Sequence, residues 1–180
     1  MNSVLAAEVP VLETRAARPS DLAALAALID RCSTETLYRR FHGAVGAAVR
    51  QELRRIADPG PRHRSWVVSD GSALHGTATL AWGRDDSVEA AFLVEDAWFR
   101  HGIGRRLFAA VAREARRAGV LEVTAWVQAD NERARRFLRA MAAGGRAAFA
   151  GGGELRVTLP TDVPVPSDGR LRPVPYLESA

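Results

Sequence analysis

Three β-rich segments follow one another with only turn-forming residues between them: Ser65 to Ser69, Ala73 to Trp82 and Ser87 to Val94. Asp70-Gly71 joins the first two as a two-residue hairpin signal, and Gly83-Arg84-Asp85-Asp86 joins the next pair. Connections this short leave no room for a crossover, so the three strands must run antiparallel as a meander. Thr77 and Thr79 alternating with Ala78 and Leu80 fit a strand with two different faces.

The residues after the meander change period. From Gly102 to Ala118, Ile103, Leu107 and Val111 fall on one helical face, Arg105, Arg106, Arg113 and Arg117 lie elsewhere, and Gly119 is placed to end the helix. Leu121 to Val127 is β-rich again. Asp130 can cap a helix through Ala134, Phe137, Leu138 and Met141, and Leu155 to Leu159 reads as a last strand. Strand, helix and strand at this spacing imply a right-handed parallel crossover. Ahead of the meander, Val11 to Ala16 is a short strand and Ser20 can cap a helix carrying Leu22, Leu25 and Ile29, with Asp21 in its first turn. Thr34 to Phe41 and Ala44 to Ala57 are helical, the second stopping at Asp58-Pro59-Gly60. The fold class is therefore mixed α/β of the α+β kind, an antiparallel meander continued by a parallel βαβ crossover and flanked by helices. One domain is expected over residues 11–160, with a Pro-rich extended tail over 161–180.

Composition removes several kinds of function. All 25 basic residues are arginine, and against 21 acidic ones they leave a net charge of +4 on 180 residues, a weak field spread over several helices. No nucleic-acid-reading motif accompanies it, so nucleic acid is not an expected partner. Cys32 is the single cysteine, which excludes an internal disulfide and fits a reducing compartment. It has no neighbouring His or acid in a nucleophile pattern, and it reads as a structural thiol. His42, His63, His75 and His101 lack paired metal-ligand spacing, and no metal is expected. No apolar run reaches the ~18 residues of a membrane span, and Met1 to Pro10 lacks a basic start and contains Glu8, unlike a secretion signal. The expected compartment is the cytoplasm, with no membrane partner; self-association is left open.

The stretch that carries chemistry is Val94-Glu95-Asp96-Ala97-Trp98-Phe99-Arg100-His101-Gly102-Ile103-Gly104-Arg105, which leaves a strand, crosses a loop and opens a helix with two glycines. Free backbone N–H groups, the positive end of a helix dipole and glycines that admit a close ligand suit a pyrophosphate, with Arg100 and Arg105 adding charge. The same residues also read as a plain tight turn. A dinucleotide-binding Gly-x-Gly-x-x-Gly is excluded because Leu107 fills the third glycine position, and no Gly-Lys-Ser or Gly-Lys-Thr is present.

Over roughly Val11 to Leu159 the chain resembles the GNAT superfamily of acetyl-CoA-dependent N-acetyltransferases. The loop is similar to that family's Arg/Gln-x-x-Gly-x-Gly/Ala motif, and Asn131 with Ala134 to its downstream Asn-x-x-Ala element. More narrowly, Ser33-Thr34-Glu35-Thr36-Leu37-Tyr38-Arg39-Arg40-Phe41 and Glu89-Ala90-Ala91-Phe92-Leu93-Val94-Glu95-Asp96-Ala97-Trp98 resemble the acetyltransferase domain of bacterial Pat-type protein lysine acetyltransferases.

The resemblance implies that acetyl-CoA is the cosubstrate. Backbone groups of Leu93 and Val94 would bind its pantetheine arm, the loop Phe99, Arg100, His101, Gly102, Ile103, Gly104 and Arg105 its pyrophosphate, and Asn131 the pantetheine from the next helix. Glu89 matches the Pat-type glutamate and becomes the general base, acting through water. The acceptor is a primary amine, protein lysine first and a small amine second; a non-catalytic acyl-CoA-binding module is the alternative. Phe99 stands where the family usually has Arg or Gln, leaving Arg100 to substitute. Leu138 stands where many members carry a Tyr general acid, and Gly144-Gly145-Arg146 replaces the usual Gly-Phe. Trp66, Trp82, Trp98 and Trp126 read mostly as core, with Trp82 or Trp126 as alternative linings of the acceptor channel.

Overall fold

The computed structural model describes residues 11–42, 46–58, 60–141 and 145–162. Its elements in chain order are β1 (Glu13–Ala16), a 3-10 turn (Pro19–Asp21), α1 (Leu22–Arg31), α2 (Thr34–Phe41), α3 (Ala47–Ala57), β2 (His63–Ser69), β3 (Leu74–Trp82) and β4 (Val88–Val94). A second 3-10 turn (Asp96–Trp98), α4 (Ile103–Arg117), β5 (Glu122–Gln128), α5 (Glu132–Met141), β6 (Arg146–Gly151) and β7 (Glu154–Pro160) complete it. One seven-stranded sheet runs β1-β2-β3-β4-β5-β7-β6. Every pairing is antiparallel except β4 with β5, the pair bridged by α4. The expected meander and parallel crossover are both present.

The sheet separates two cores. On one face α4 and α5 pack Leu107, Phe108, Val111 and Leu138 against Ala78, Leu80, Val123 and Leu159. On the other, α1 and α3 pack Leu25, Leu28 and Ile56 against Val67 and Leu93. Alternate residues of β4 therefore point to different cores, Ala90 to the first and Leu93 to the second, as the two-residue period of a strand requires. Ile103, Leu107 and Val111 are buried as their spacing predicts. Gly76 on β3 seats the start of α4: a Cβ there would stand 2.7 Å from Ile103 Cγ2 and 3.0 Å from the Leu93 carbonyl oxygen. Only glycine lets the first turn of α4 lie this close to the strands.

Four local expectations are corrected. The β2–β3 connection is not a two-residue turn; it runs from Asp70 to Ala73, because Asp70 Oδ1 accepts from the N–H groups of both Ser72 and Ala73 and a bulge shifts the register at Val68/Ser69. Ser20 does not cap α1, which is entered through the 3-10 turn. Asp21 instead receives the Arg18 N–H at 2.8 Å and a two-pronged ion pair from Arg15, both contacts at 2.7 Å. Asn131, not Asp130, caps α5: its Oδ1 accepts from the Ala134 N–H at 3.0 Å while Asp130 pairs with Arg39. Finally β6 separates α5 from β7, so β7 lies antiparallel to β5. Part of the helix expected from Ala44, and the tail from residue 163, lie outside the described residues.

Candidate active site

Strands β4 and β5 are registered at a single pair, Glu89 with Thr124. Beyond it toward their C-terminal ends, the backbone edge of β4 from Ala90 to Val94 has no ladder partner on the β5 side. The sheet is split there. An edge of unpaired N–H and C=O groups inside a sheet is a template for an extended ligand.

The loop after β4 brings the start of α4 to the open end of this split. Gly102 sits at φ +80°, and Arg100 before it at φ +69°, a left-handed pair of positions that turns the chain into the helix. The N–H groups of Phe99 and His101 point back into the turn, to the carbonyls of Asp96 and Trp98. No side chain caps α4, and the first bond back into the helix runs from Arg106 N–H to the Gly102 carbonyl. Among the described residues nothing accepts from the N–H groups of Gly102, Ile103, Gly104 and Arg105. These four donors at the positive end of a helix dipole form an anion cradle, and the Arg105 side chain is half-buried beside them. Gly104 has a packing reason as well: a Cβ would lie 3.0 Å from the Phe137 ring of α5.

Charged groups brace the loop from below. Asp96 accepts from the Ser33 N–H, the Ser33 hydroxyl and the Thr36 hydroxyl, each at 2.8 Å, so the two stretches that resemble the Pat-type domain touch each other here. Buried Glu95 accepts from Arg31 Nε at 3.0 Å and from His75 Nδ1 at 2.9 Å. His75 Nε2 lies 3.0 Å from Asp70 Oδ2. The His75 ring stacks on Trp98 at 4.0 Å. Burial pushes the Glu95 carboxyl up, yet Arg31 and His75 hold it below the usual carboxylate range, and Ala73, His75 and Ser72 hold Asp70 well below it. Carboxyls depressed by folding contribute stability above their unfolded pKa of about 4 and lose it as pH falls through the depressed values. The melting temperature is accordingly expected to drop between pH 5 and pH 3, with a shallower drop in Glu95→Gln; equal acid slopes in the two proteins would remove this network as a cause. Cys32 beside it has a thiol pushed up to about 12, by burial first and by Asp96 and Glu95 next, which fits an inert structural cysteine.

Glu89 stands at the closed end of the split, five residues and ~17 Å of strand from Val94. It is exposed on the face of the sheet opposite α4, and its Oε1 accepts from Trp126 Nε1–H at 3.0 Å. Trp126, two residues past Thr124, is 40% exposed. Farther along that face Arg39 of α2 reaches Gln128 and Asp130, and His42 lies 2.6 Å from Glu154. Between α2 and the β6–β7 turn is a pocket of about 330 Å³ lined by Tyr38, Gln128, Asp130 and Gly152.

The other expected site residues divide. Leu93 is buried in the second core and its backbone groups face Thr77 of β3, whereas Val94 is half-buried and turns its N–H and C=O to the split edge. Phe99 is engaged elsewhere: the Arg133 guanidinium of α5 stacks over its ring at 3.9 Å, tying the loop to α5 across the gap. Asn131 uses its carbonyl oxygen as the α5 cap, leaving its amide NH2 as a donor. His101 Nδ1–H donates to the Phe99 carbonyl at 2.9 Å. Leu138 is buried in the core and brings no acid to the site. Sequence reasoning missed the role of Phe99 toward Arg133 and the pairing of Trp126 with Glu89, neither of which has a local sequence signal. Among the described residues, no group of three or more His, Cys, Asp and Glu side chains is placed to hold a metal, and no helix is long and apolar enough to cross a membrane.

The fold is thus a mixed sheet split between β4 and β5, with an uncapped helix start at the mouth of the split. Residues 24–142 match the acetyltransferase (GNAT) family, and the chain belongs to it. Among solved structures it is similar to the GNAT domain of PAT from S. lividans, at 20% identity over 83% of this chain and 90% of that one, with a TM-score of 0.74. It also resembles the PaiA N-acetyltransferase of Thermoplasma acidophilum solved with coenzyme A, at 13% identity, 83% and 99% coverage and a TM-score of 0.64. A third is YncA, a putative acetyltransferase of Salmonella typhimurium solved with acetyl-CoA, at 20% identity, 87% and 98% coverage and a TM-score of 0.62. No curated protein sequence matches the chain.

Proposed function

We propose that this protein is an acetyl-CoA-dependent N-acetyltransferase acting on a primary amine, protein lysine first, with Glu89 as general base. The observation that carries the reading is the split between β4 and β5, with an uncapped helix start at its mouth and a carboxylate at its closed end. The N–H groups of Gly102 to Arg105 would hold the pyrophosphate, with Arg100 and Arg105 adding charge. Backbone groups of Val94, and the Asn131 amide, would hold the pantetheine arm, those of Leu93 being turned to β3. Phe99 and His101 complete the turn rather than donate to it. Bound acetyl-CoA supplies an activated thioester whose acetyl group can pass directly to an amine.

The task left to the protein is the proton. An alkyl ammonium of pKa ~10.4 is neutral in only about one part in a thousand at pH 7.4, a deficit of about 4 kcal/mol. Glu89, exposed at the acceptor side, takes that proton through water and offsets part of the deficit. With Leu138 at the position where many relatives in the family carry Tyr, no side-chain acid is assigned to the departing thiol; a pKa near 8.5 lets it leave as thiolate or take a proton from water. The resemblance to the PAT domain supports protein lysine as acceptor, and the pocket beside Tyr38 and Gln128 supports a small amine as the second reading. The reading is tested by CoA release from acetyl-CoA against a panel of proteins and small amines. Release that requires an amine is the expected result; binding of acetyl-CoA with no release across the panel would instead make the chain an acyl-CoA-binding module.

A further inference from the structure

We propose that Trp126 is a positioning residue for the Glu89 carboxylate; this rests on the reading of Glu89 as general base. A carboxylate on a strand surface rotates among staggered positions, and a base that must meet a water or an amine at one angle loses rate while it does so. Here the parallel register places Thr124 opposite Glu89, so Trp126, two residues on and facing the same side, lies next to the point where the strands part. Its indole reaches back, and Nε1–H donates to Glu89 Oε1 at 3.0 Å. That bond fixes one oxygen and leaves Oε2 as the free acceptor.

The neighbouring charges on this face are otherwise occupied or distant. Glu122 is paired with Arg146, Glu154 with His42, and Asp130 with Arg39. Arg156, registered opposite Trp126, makes no ion pair, and no cation lies within ion-pair distance of Glu89 among the described residues. The indole N–H is thus the one described donor to the carboxylate. The position also explains an exposed tryptophan: Val123, Ala125 and Val127 carry the burial of β5 on its other face, so the ring is not needed for the core.

Trp126→Phe keeps the aromatic ring and removes only the donor. In amine-dependent CoA release, kcat is expected to fall roughly 5- to 20-fold with KM for acetyl-CoA and melting temperature unchanged. Trp126→Gln, which returns an N–H without the ring, is expected to move kcat back toward wild type. An unchanged kcat in Trp126→Phe, with Glu89→Gln inactive, would overturn the positioning role while leaving the base in place. Wild-type turnover in Glu89→Gln would overturn the base, and the positioning role with it.

Discussion

Glu89→Gln lowers amine-dependent CoA release about 100-fold or more at pH 7.4, the usual size of a lost general base, while acetyl-CoA still binds. Binding survives because Glu89 lies about 17 Å along the strand from Val94, where the loop to the cradle begins, and its only described partner is Trp126. Glutamine can still accept the Trp126 N–H, so the shape of the site is kept and the change isolates proton transfer. The defect has a sign in pH. Each unit toward pH 10 raises the fraction of neutral amine about tenfold, so the variant recovers toward wild type in alkaline buffer. A defect of the same size at pH 7.4 and pH 9.5 would mean that Glu89 does something other than accept the amine's proton.

Arg105→Glu separates the two things the start of α4 does. An acidic residue in the first turn of a helix favours the folded state by about 0.3–1 kcal/mol, and among the described residues no side chain caps α4. The variant protein is therefore expected to melt at the same temperature or slightly higher. Its affinity for acetyl-CoA moves the other way, weakened ~10- to 100-fold at low salt because a cation beside the pyrophosphate has become an anion, and less at high salt through screening. Calorimetric titration at two ionic strengths, with a melting curve on the same sample, reads both signs. Unchanged affinity would place Arg105 among the solvated arginines of the helix surface.

The fold was legible wherever one residue pattern had one structural solution. Ile103, Leu107 and Val111 can share a face only in a helix, and the short connections of the meander permit only antiparallel neighbours. The misses lie where local chemistry had two solutions or where contact was made across the fold. Asp70-Gly71 carries a hairpin signal, but the Asp70 side chain binds two backbone N–H groups and draws the loop out to Ala73. Asp130 and Asn131 are both good caps, and Arg39 of α2, far away in sequence, takes the aspartate. β6 is built from Ala147, Ala148, Phe149 and Ala150, all exposed, and has no alternation to betray it; it exists by pairing with β7.

The candidate site was legible in part for the same reason. The loop from Val94 to Arg105 is contiguous, so its glycines could be read directly, whereas the partners of Phe99 and Glu89 come from α5 and β5. The absence of lysine, visible from the outset, now has a practical use. A chain whose 25 basic residues are all arginine offers no side-chain amine, so acetyl-lysine formed in its presence belongs to the acceptor.

That makes the decisive measurement a simple one: an acceptor protein incubated with acetyl-CoA and the wild-type chain, followed by mass spectrometry of the acceptor and by CoA release. Acetyl-lysine on the acceptor matched by released CoA, above the level seen without the chain, is the predicted result. No acetyl gain on any lysine and no CoA release with protein or small-amine acceptors, under conditions where acetyl-CoA is bound, would contradict the account.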